Sequence, residues 1–441
     1  MSSVRSPWLG LALAATVLTA PGLAHALDVP ATKKAVDAIL DREYPSLDAL
    51  YKDIHTHPEL GFQEVQTAAK LAKEMRALGF EVTEHVGKTG IVAIYKNGPG
   101  PMVLVRTELD ALPMEEKTGL PYASRAKGVS HGQETFVAHS CGHDIHMASW
   151  VGTARALVAL KARWHGTLVF VGQPAEETVG GAKAMIDDHF FERFGKPDMG
   201  FALHVGAGPY GDVIYRPGVI SSNSDGLKVV FNGRGAHGSM PDLSIDPVLM
   251  AARFVEDVQT VISREKDSAA FGVVTIGSIH AGNANNIIPD HSELLGTIRT
   301  YSPEVRAKIL AGVTRTAKAV AEMSGAPAPV IEIDEGGKAV VNDAALTERT
   351  AKVFKAAFGD KAILAPAPGP ASEDYSEFII AGVPSVFFNL GGLDPRMMAE
   401  AKAAGKPIAA NHSPFFAPVP EPTIRTGVEA MSLAVMNVMS K

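Results

Sequence analysis

The stretch HSCGHDIH, residues 139–146, places four metal-capable side chains, Cys141, His143, Asp144 and His146, within six residues, and it holds the single cysteine of the chain. A second cluster, QPAEE at 173–177, ends in the adjacent carboxylates Glu176 and Glu177, just after a strand-like apolar run. Sulfur, imidazole and carboxylate together suit a borderline divalent ion such as zinc or manganese. A carboxylate left beside such an ion can shuttle protons for a metal-bound water. The two clusters therefore point to metal-dependent hydrolysis. The rival is a nucleophilic cysteine paired with His139 or His143. It leaves Glu176, Glu177, His204 and His412 without a role, and it predicts inhibition by thiol reagents without sensitivity to chelators.

The elements that must position these groups follow an α/β pattern. Helical periodicity covers 46–60 and 64–78, with Gly79 as a stop. Four apolar runs, 102–106, 167–172, 199–203 and 385–389, read as buried parallel strands, with a helix at about 145–161 between the first two. Polar residues follow each run: Glu108 and Asp110, then Gln173 to Glu177, then His204, then Asn389 with Gly391 and Gly392. Ligands in open α/β sheets bind beyond the carboxyl ends of the strands, so these groups converge. Residues 220–335 differ. Strand-like runs at 225–233, 271–281, 292–300 and 329–334 alternate with helical runs at 245–264 and 302–324. That βαββαβ order is the ferredoxin-like split unit, here an insertion bracketed by Pro217-Gly218 and Gly336-Gly337.

Composition narrows the class. The 441 residues carry 41 Lys and Arg against 48 Asp and Glu, a formal net charge of −7 with no basic cluster. Nucleic acid is not an expected partner. Residues 1–26 read as a secretory signal peptide: Arg5, an apolar run from Trp8 to Ala20, a Pro21-Gly22 break and an Ala24-His25-Ala26 cleavage site. The mature chain is expected in the periplasm or outside the cell, with no membrane attachment once the signal is cleaved. Exported proteins pair their cysteines, and Cys141 has no partner, so a thiolate ligand is the better reading for it.

Alone, several residues are ambiguous. Glu176-Glu177 could be a solvated acidic loop; on an extended strand end their side chains would diverge, one toward metal and one toward water. His204 could be a core histidine and His412 a loop histidine. His237, in GRGAHGSMP, could be a surface residue, though the glycines would let that loop approach a ligand closely. His55-x-His57 closes a helical run before Pro58, and reads as a helix end in preference to a metal motif.

With these residues on the page, the chain resembles the metallopeptidase-20 group of metal-dependent aminoacylases and carboxypeptidases, in the branch of hippurate hydrolases, N-acetyl-diaminopimelate deacetylases and auxin-conjugate hydrolases. The resemblance rests on HTHPELGFQE (55–64), RTELDALPMEEKTGLPYAS (106–124), HSCGHDIHMA, QPAEETVGGAKAMI, LHV (203–205), GRGAHGSMPDLSIDPV (233–248), NNIIPD (285–290), GTIRT (296–300), SEDYSEF (372–378) and NHSPFF (411–416). It implies a zinc-exopeptidase-like catalytic domain from 27–219 and 336–441, with residues 220–335 as an inserted lid and dimerisation domain. It implies two divalent ions per subunit, zinc or manganese, with cobalt or nickel also suited. Cys141 would bridge them, and His143, Glu177, His204 and His412 would complete the ligands. Glu176 would be the general base. His237 would enter the site of a dimer partner and polarise the scissile carbonyl, while Asn286 and Arg299 would bind the substrate carboxylate.

The activity implied is amide hydrolysis of N-acyl amino acids or similar small conjugates through a metal-bound hydroxide. A dipeptidase or carboxypeptidase on the same scaffold is the alternative. A noncatalytic periplasmic binding protein is a third, disfavoured because a binder needs no base. One departure stands out: RTELDALP carries Glu108 where the group has aspartate, which bears on the groups behind the ligands more than on the ligands.

Overall fold

The structure, a computed structural model, describes residues 27–440; the expected signal peptide lies outside them. Asp28 caps the helix Val29–Thr56, accepting from the Ala31 N–H at 3.0 Å, and Pro30 occupies the first turn, where its missing N–H is harmless. The periodicity at 46–60 captures only the second half of this helix, which runs through Pro45. The second helical reading corresponds to Val65–Ala77.

The main sheet has eight strands, in the order Glu81–Val86, Gly90–Asn97, Gly166–Gln173, Met102–Glu108, Met199–Pro209, Ser385–Leu393, Val213–Tyr215 and Ala362–Leu364. The four strands read from the apolar runs are its parallel centre. The flanks pair antiparallel with that centre, so the sheet is mixed. Gly87 and Lys88, both at positive φ, form the tight turn of the first hairpin. The central strands run further than their apolar cores: Glu108 and Gln173, like His204 and Asn389, lie inside strands, each pair directly in register, and not beyond the strand ends.

Alternation along the central strands divides two cores. Val386, Phe388 and Leu390 pack with Leu203 and Val205 under the helices Val29–Thr56, His143–Ala159 and Pro420–Met439. Phe387 and Ala202 face the other way, with Met185, Phe190 and Phe378 from the short helices on that side. His204 and Asn389 share this second face.

The separate four-stranded sheet is antiparallel, in the order Gly272–Ala281, His291–Thr300, Asp225–Asn232, Val330–Glu335. It has its own core, in which Phe231 and Leu294 meet Phe254 of the helix Pro247–Asp257 and Val313 of the helix Pro303–Met323. The helical run read over 245–264 is shorter, ending at Asp257 before one wide turn at Val261–Glu265. At the neck the Ser224 N–H donates to the Gly337 carbonyl at 2.8 Å and the Ile220 N–H to Val340 at 2.9 Å. Among the described residues no helix is long and apolar enough to cross a membrane.

Candidate active site

Gly142 stands at φ 90° just before the helix His143–Ala159. A side chain there would be strained and would collide with Val205. This one turn sets Cys141 and His143 on opposite sides of a glycine. The Cys141 Sγ lies 3.4 Å from the His204 Nε2. The His143 Nδ1–H donates to the Asp110 carbonyl at 2.8 Å, and the His204 Nδ1–H to the Val205 carbonyl at 2.8 Å. Both rings are thereby held with the Nε2 lone pair facing inward, the tautomer a metal ligand needs.

The His143 Nε2 and the Glu177 Oε1 are buried and have no hydrogen-bond partner among the described residues. They face each other at 3.8 Å, and the Glu176 Oε2 is also 3.8 Å from that nitrogen. The other Glu177 oxygen is 3.3 Å from the His412 Nε2. His412 sits in a loop at φ 65°, its N–H on the Ser140 carbonyl at 2.8 Å. Beside it the Asn411 amide donates to the Cys141 and Val205 carbonyls, each at 2.9 Å. Donor atoms of Cys141, Glu177 and His412 lie within 4.8 Å of one another, as do those of His143, Glu176 and Glu177. Unpartnered buried donors across such a gap, in a sulfur, nitrogen and oxygen set, fit divalent cations.

The cysteine's surroundings speak against a free nucleophile. Burial, then Glu177 and Glu176, push the Cys141 thiol well above its ordinary range. A thiolate here needs a cation beside it. The imidazole within reach of its sulfur is His204, not His139 or His143, the bases the rival mechanism needs. Burial holds His139 down to about 3, and neither of its ring nitrogens has a partner among the described residues.

The remaining polar residues of HSCGHDIH are spent on support. The His146 Nδ1 meets Glu108 at 2.9 Å and its Nε2 accepts the Val205 N–H at 2.8 Å, so no lone pair remains for a metal. Asp144 holds the His55 Nδ1 at 2.6 Å, and Glu116 holds the other His55 nitrogen at 3.1 Å. Burial opposes the His55 charge, but the two carboxylates outweigh it and lift its pKa to about 10. His55 is thus an ion-paired helix end, and His57 caps the same helix.

The adjacent glutamates are not on an extended strand end. They occupy a turn closed by the Val179 N–H on the Glu176 carbonyl at 2.7 Å, with Ala175 and Val179 at φ 48° and 53°. Positive φ at a β-branched residue is strained and persists only where contacts enforce it. The turn directs both carboxylates toward His143, where alternation would have separated them. Three contacts enforce it. The Glu177 N–H donates to the Asp110 Oδ2 at 2.9 Å. The Ala175 N–H donates to the Glu64 Oε1 at 2.7 Å. Gly181 lies flat on the Pro174 carbonyl, where no side chain fits. Glu64 is wholly buried and also accepts the Thr89 hydroxyl at 2.5 Å. Burial, then Asp110, raise its pKa to about 7.

Behind Glu176 lies a buried charge network. Arg106 donates to Glu108, to Gln173 at 2.9 Å, to Glu373 at 2.6 Å and to Asp374 at 3.3 Å. Glu108 spans Arg106 and His146; burial opposes its charge, yet the Arg106 guanidinium, and after it His146, hold it well below the usual carboxylate range. Both Glu108 oxygens are thus engaged, one by Arg106 and the other by His146. Burial, then Glu373, Glu177 and Asp374, push the Glu176 carboxyl well up.

A cleft of about 590 Å³ opens over Cys141, Glu176, Glu177, His204 and His412. Arg299, from the small sheet, is the one arginine or lysine among the described residues that line it. It donates to the Ser372 hydroxyl at 3.0 Å and makes no ion pair among the described residues. His237 and Asn286 lie elsewhere. The exposed ribbon Ala236–His237 with Ile287–Ile288 carries His237, and the Gly238 N–H donates to the Asn286 carbonyl at 2.7 Å. Neither lines the cleft of its own chain. Sequence reasoning also passed over Glu64 and Asn411; each acts through backbone groups distant in sequence and leaves no local pattern.

The sequence model of Peptidase family M20/M25/M40 matches residues 104–437. The hippurate hydrolase of Campylobacter jejuni is 34% identical over 351 residues, 78% of this chain and 87% of that one. Thermostable carboxypeptidase 1 of Saccharolobus solfataricus is 32% identical over 395 residues, 88% of this chain and 94% of that one. The crystal structure of the Bacillus subtilis YXEP protein, a dinuclear metal-binding peptidase, superposes with a TM-score of 0.72 at 26% identity, covering 91% of this chain and 98% of that one. The match spans every part of the site from Arg106 to His412, and with it the chain belongs to peptidase family M20/M25/M40, metal-dependent hydrolases of C–N bonds.

Proposed function

We propose that this chain hydrolyses the amide bond of N-acyl amino acids or similar small conjugates, with two divalent ions, zinc or manganese, at the Cys141 centre. The observation that carries this reading is the meeting of five donors beside a buried glutamate. Cys141, His143, Glu177, His204 and His412 would hold the ions. When bound, the ions supply Lewis acidity, acidifying a water and polarising the scissile carbonyl. Glu176 takes the proton of the attacking water and returns it to the leaving nitrogen. Arg299 anchors the substrate carboxylate, and residues 220–335 act as lid and dimerisation unit. His237 and Asn286, exposed and outside their own cleft, serve the site of a second copy, where His237 stabilises the developing oxyanion.

A dipeptidase would need an acidic partner for the free amine of its substrate. The acids lining the cleft are Glu176, Glu177 and Glu373, and Glu373 is already held by Arg106. That supports an acyl group over an ammonium at this position. A panel of N-acyl amino acids and dipeptides tests the reading, each run as purified, after chelation, and with zinc, manganese or cobalt restored. Chelator-sensitive cleavage of the acyl amino acids, with dipeptides slower, is expected. Cleavage that survives chelation sinks the metal mechanism, and faster dipeptides sink the substrate class. Export is part of the reading; a mature N-terminus at Leu27 is expected from sequencing the purified protein.

A further inference from the structure

One polar group in the cleft is left over by this mechanism. Asn389 pairs in register with His204 across the two parallel strands, so the two side chains stand side by side on one face of the sheet. Asn389 lines the cleft, and its carboxamide makes no hydrogen bond among the described residues. It interrupts an apolar surface: Phe387, two residues earlier on the same face, packs with Ile220. Next to Ile220, Ser221 also lines the cleft, is more than nine-tenths buried, and has a hydroxyl with no partner among the described residues. Buried polar groups without protein partners are uncommon and need an account. Ser221 is one such group, and the half-buried Asn389 carboxamide lines the same cleft together with Phe387, Ile220, Pro370 and Ala371.

Charge sorts the two halves of the substrate. Its carboxylate goes to Arg299, the guanidinium of the cleft. Uncharged Asn389 and Ser221 are left to meet the other half. We propose that Asn389 and Ser221 form a hydrogen-bonding subsite for the acyl half of the substrate. The preferred acyl groups then carry a hydroxyl or carboxamide toward their end, and plain alkyl acyl groups are disfavoured. The inference rests on the amide-hydrolase reading above. Its energetic basis is asymmetric: an alkyl chain leaves both protein groups desolvated and unpaired, whereas a polar chain satisfies them.

The test is a series of N-acyl alanines of equal acyl length ending in methyl, hydroxyl or carboxamide. A parallel series holds the acyl group at acetyl and carries the same endings on the amino-acid side chain. All are assayed as kcat/KM with the metal-loaded enzyme. The expected result is a preference of about tenfold or more for the polar acyl endings, with little discrimination in the side-chain series. Asn389→Leu is expected to reverse the acyl preference, and Ser221→Ala, a smaller change, to weaken it. Equal rates across the acyl endings in the unmodified enzyme overturn the subsite while leaving the amide-hydrolase reading intact. Discrimination confined to the side-chain series overturns the acyl assignment. Cleavage of no member refutes the hydrolase reading, and this inference with it.

Discussion

Glu64 offers a perturbation whose size follows from the structure. Its carboxylate is wholly buried, accepts the Ala175 N–H at 2.7 Å, and has a pKa raised from 4.5 to about 7. An acid with a raised folded pKa binds more protons folded than unfolded between those two values. Its contribution to stability is therefore fully present below pH 4.5, declines across that window, and is lost above pH 7. A shift of this size at 1.36 kcal/mol per unit is worth about 3 kcal/mol. Glu64→Gln removes the titration and keeps an oxygen for the Ala175 N–H. The variant should gain about 3 kcal/mol relative to the parent between pH 4 and pH 8. For a chain of this size that is a growing difference in Tm of about 3–4 °C. Thermal unfolding of both chelated proteins across that pH range measures it, chelation removing the ions' own effect on Glu64. A Tm difference that stays flat with pH, or that narrows as pH rises, refutes the argument. Glu64→Ala should instead leave the Ala175 N–H and the Thr89 hydroxyl unpaired and cost about 1–3 kcal/mol for each group.

Glu176→Gln should lower kcat by a factor of about 10²–10⁴ while bound metal, read by elemental analysis, is unchanged; an active variant removes Glu176 from its role as base. Gly142→Ala adds a left-handed residue and a collision with Val205, so a loss of about 2–4 kcal/mol is expected, together with reduced metal content because Cys141 and His143 flank it. Full metal loading at unchanged Tm would contradict that. His237→Ala should lose rate with metal retained, and a mixture of His237→Ala with an inactive Glu176→Gln partner should recover part of it if the histidine acts across a dimer. No recovery, with mixed dimers demonstrated, would place His237 in its own chain's site.

How far this was legible in the sequence depended on whether the cause was local. The parallel centre of the main sheet was legible because buried strands such as Leu168 to Val171 read as unbroken apolar runs. The strands Val213–Tyr215 and Ala362–Leu364 are too short to show a period. Cys141, His143, Glu176 and Glu177 announced themselves by residue type and spacing. The turn that turns both glutamates inward did not, because Ala175 and Val179 take positive φ with no glycine or asparagine to signal it. That conformation is imposed by Glu64 and Asp110, each far away in sequence. His204 and His412 were separable from ordinary histidines only through the resemblance, since what distinguishes them is a pinned Nδ1 or a carboxylate contact made across the fold.

The neck at Ser224 and Gly337 also bears on how the site comes into being. His204 lies before the small sheet and His412 after it, while the strand Ser385–Leu393 must slot beside Met199–Pro209 to complete the parallel centre. Closing an excursion of roughly a hundred residues has an entropic cost that grows only slowly with its length. A unit with its own core that holds its two ends together by the Ser224–Gly337 hydrogen bond lowers that cost further. The last strand then docks as if the intervening chain were a short loop. Until it does, the chain from Leu27 to Thr300 holds four of the five candidate donors and no His412, so a nascent or truncated chain cannot assemble the full donor set. On the proposed ligand set, metal capture is thereby tied to completed folding: the ions would bind only where the chain before the small sheet and the chain after it have already met.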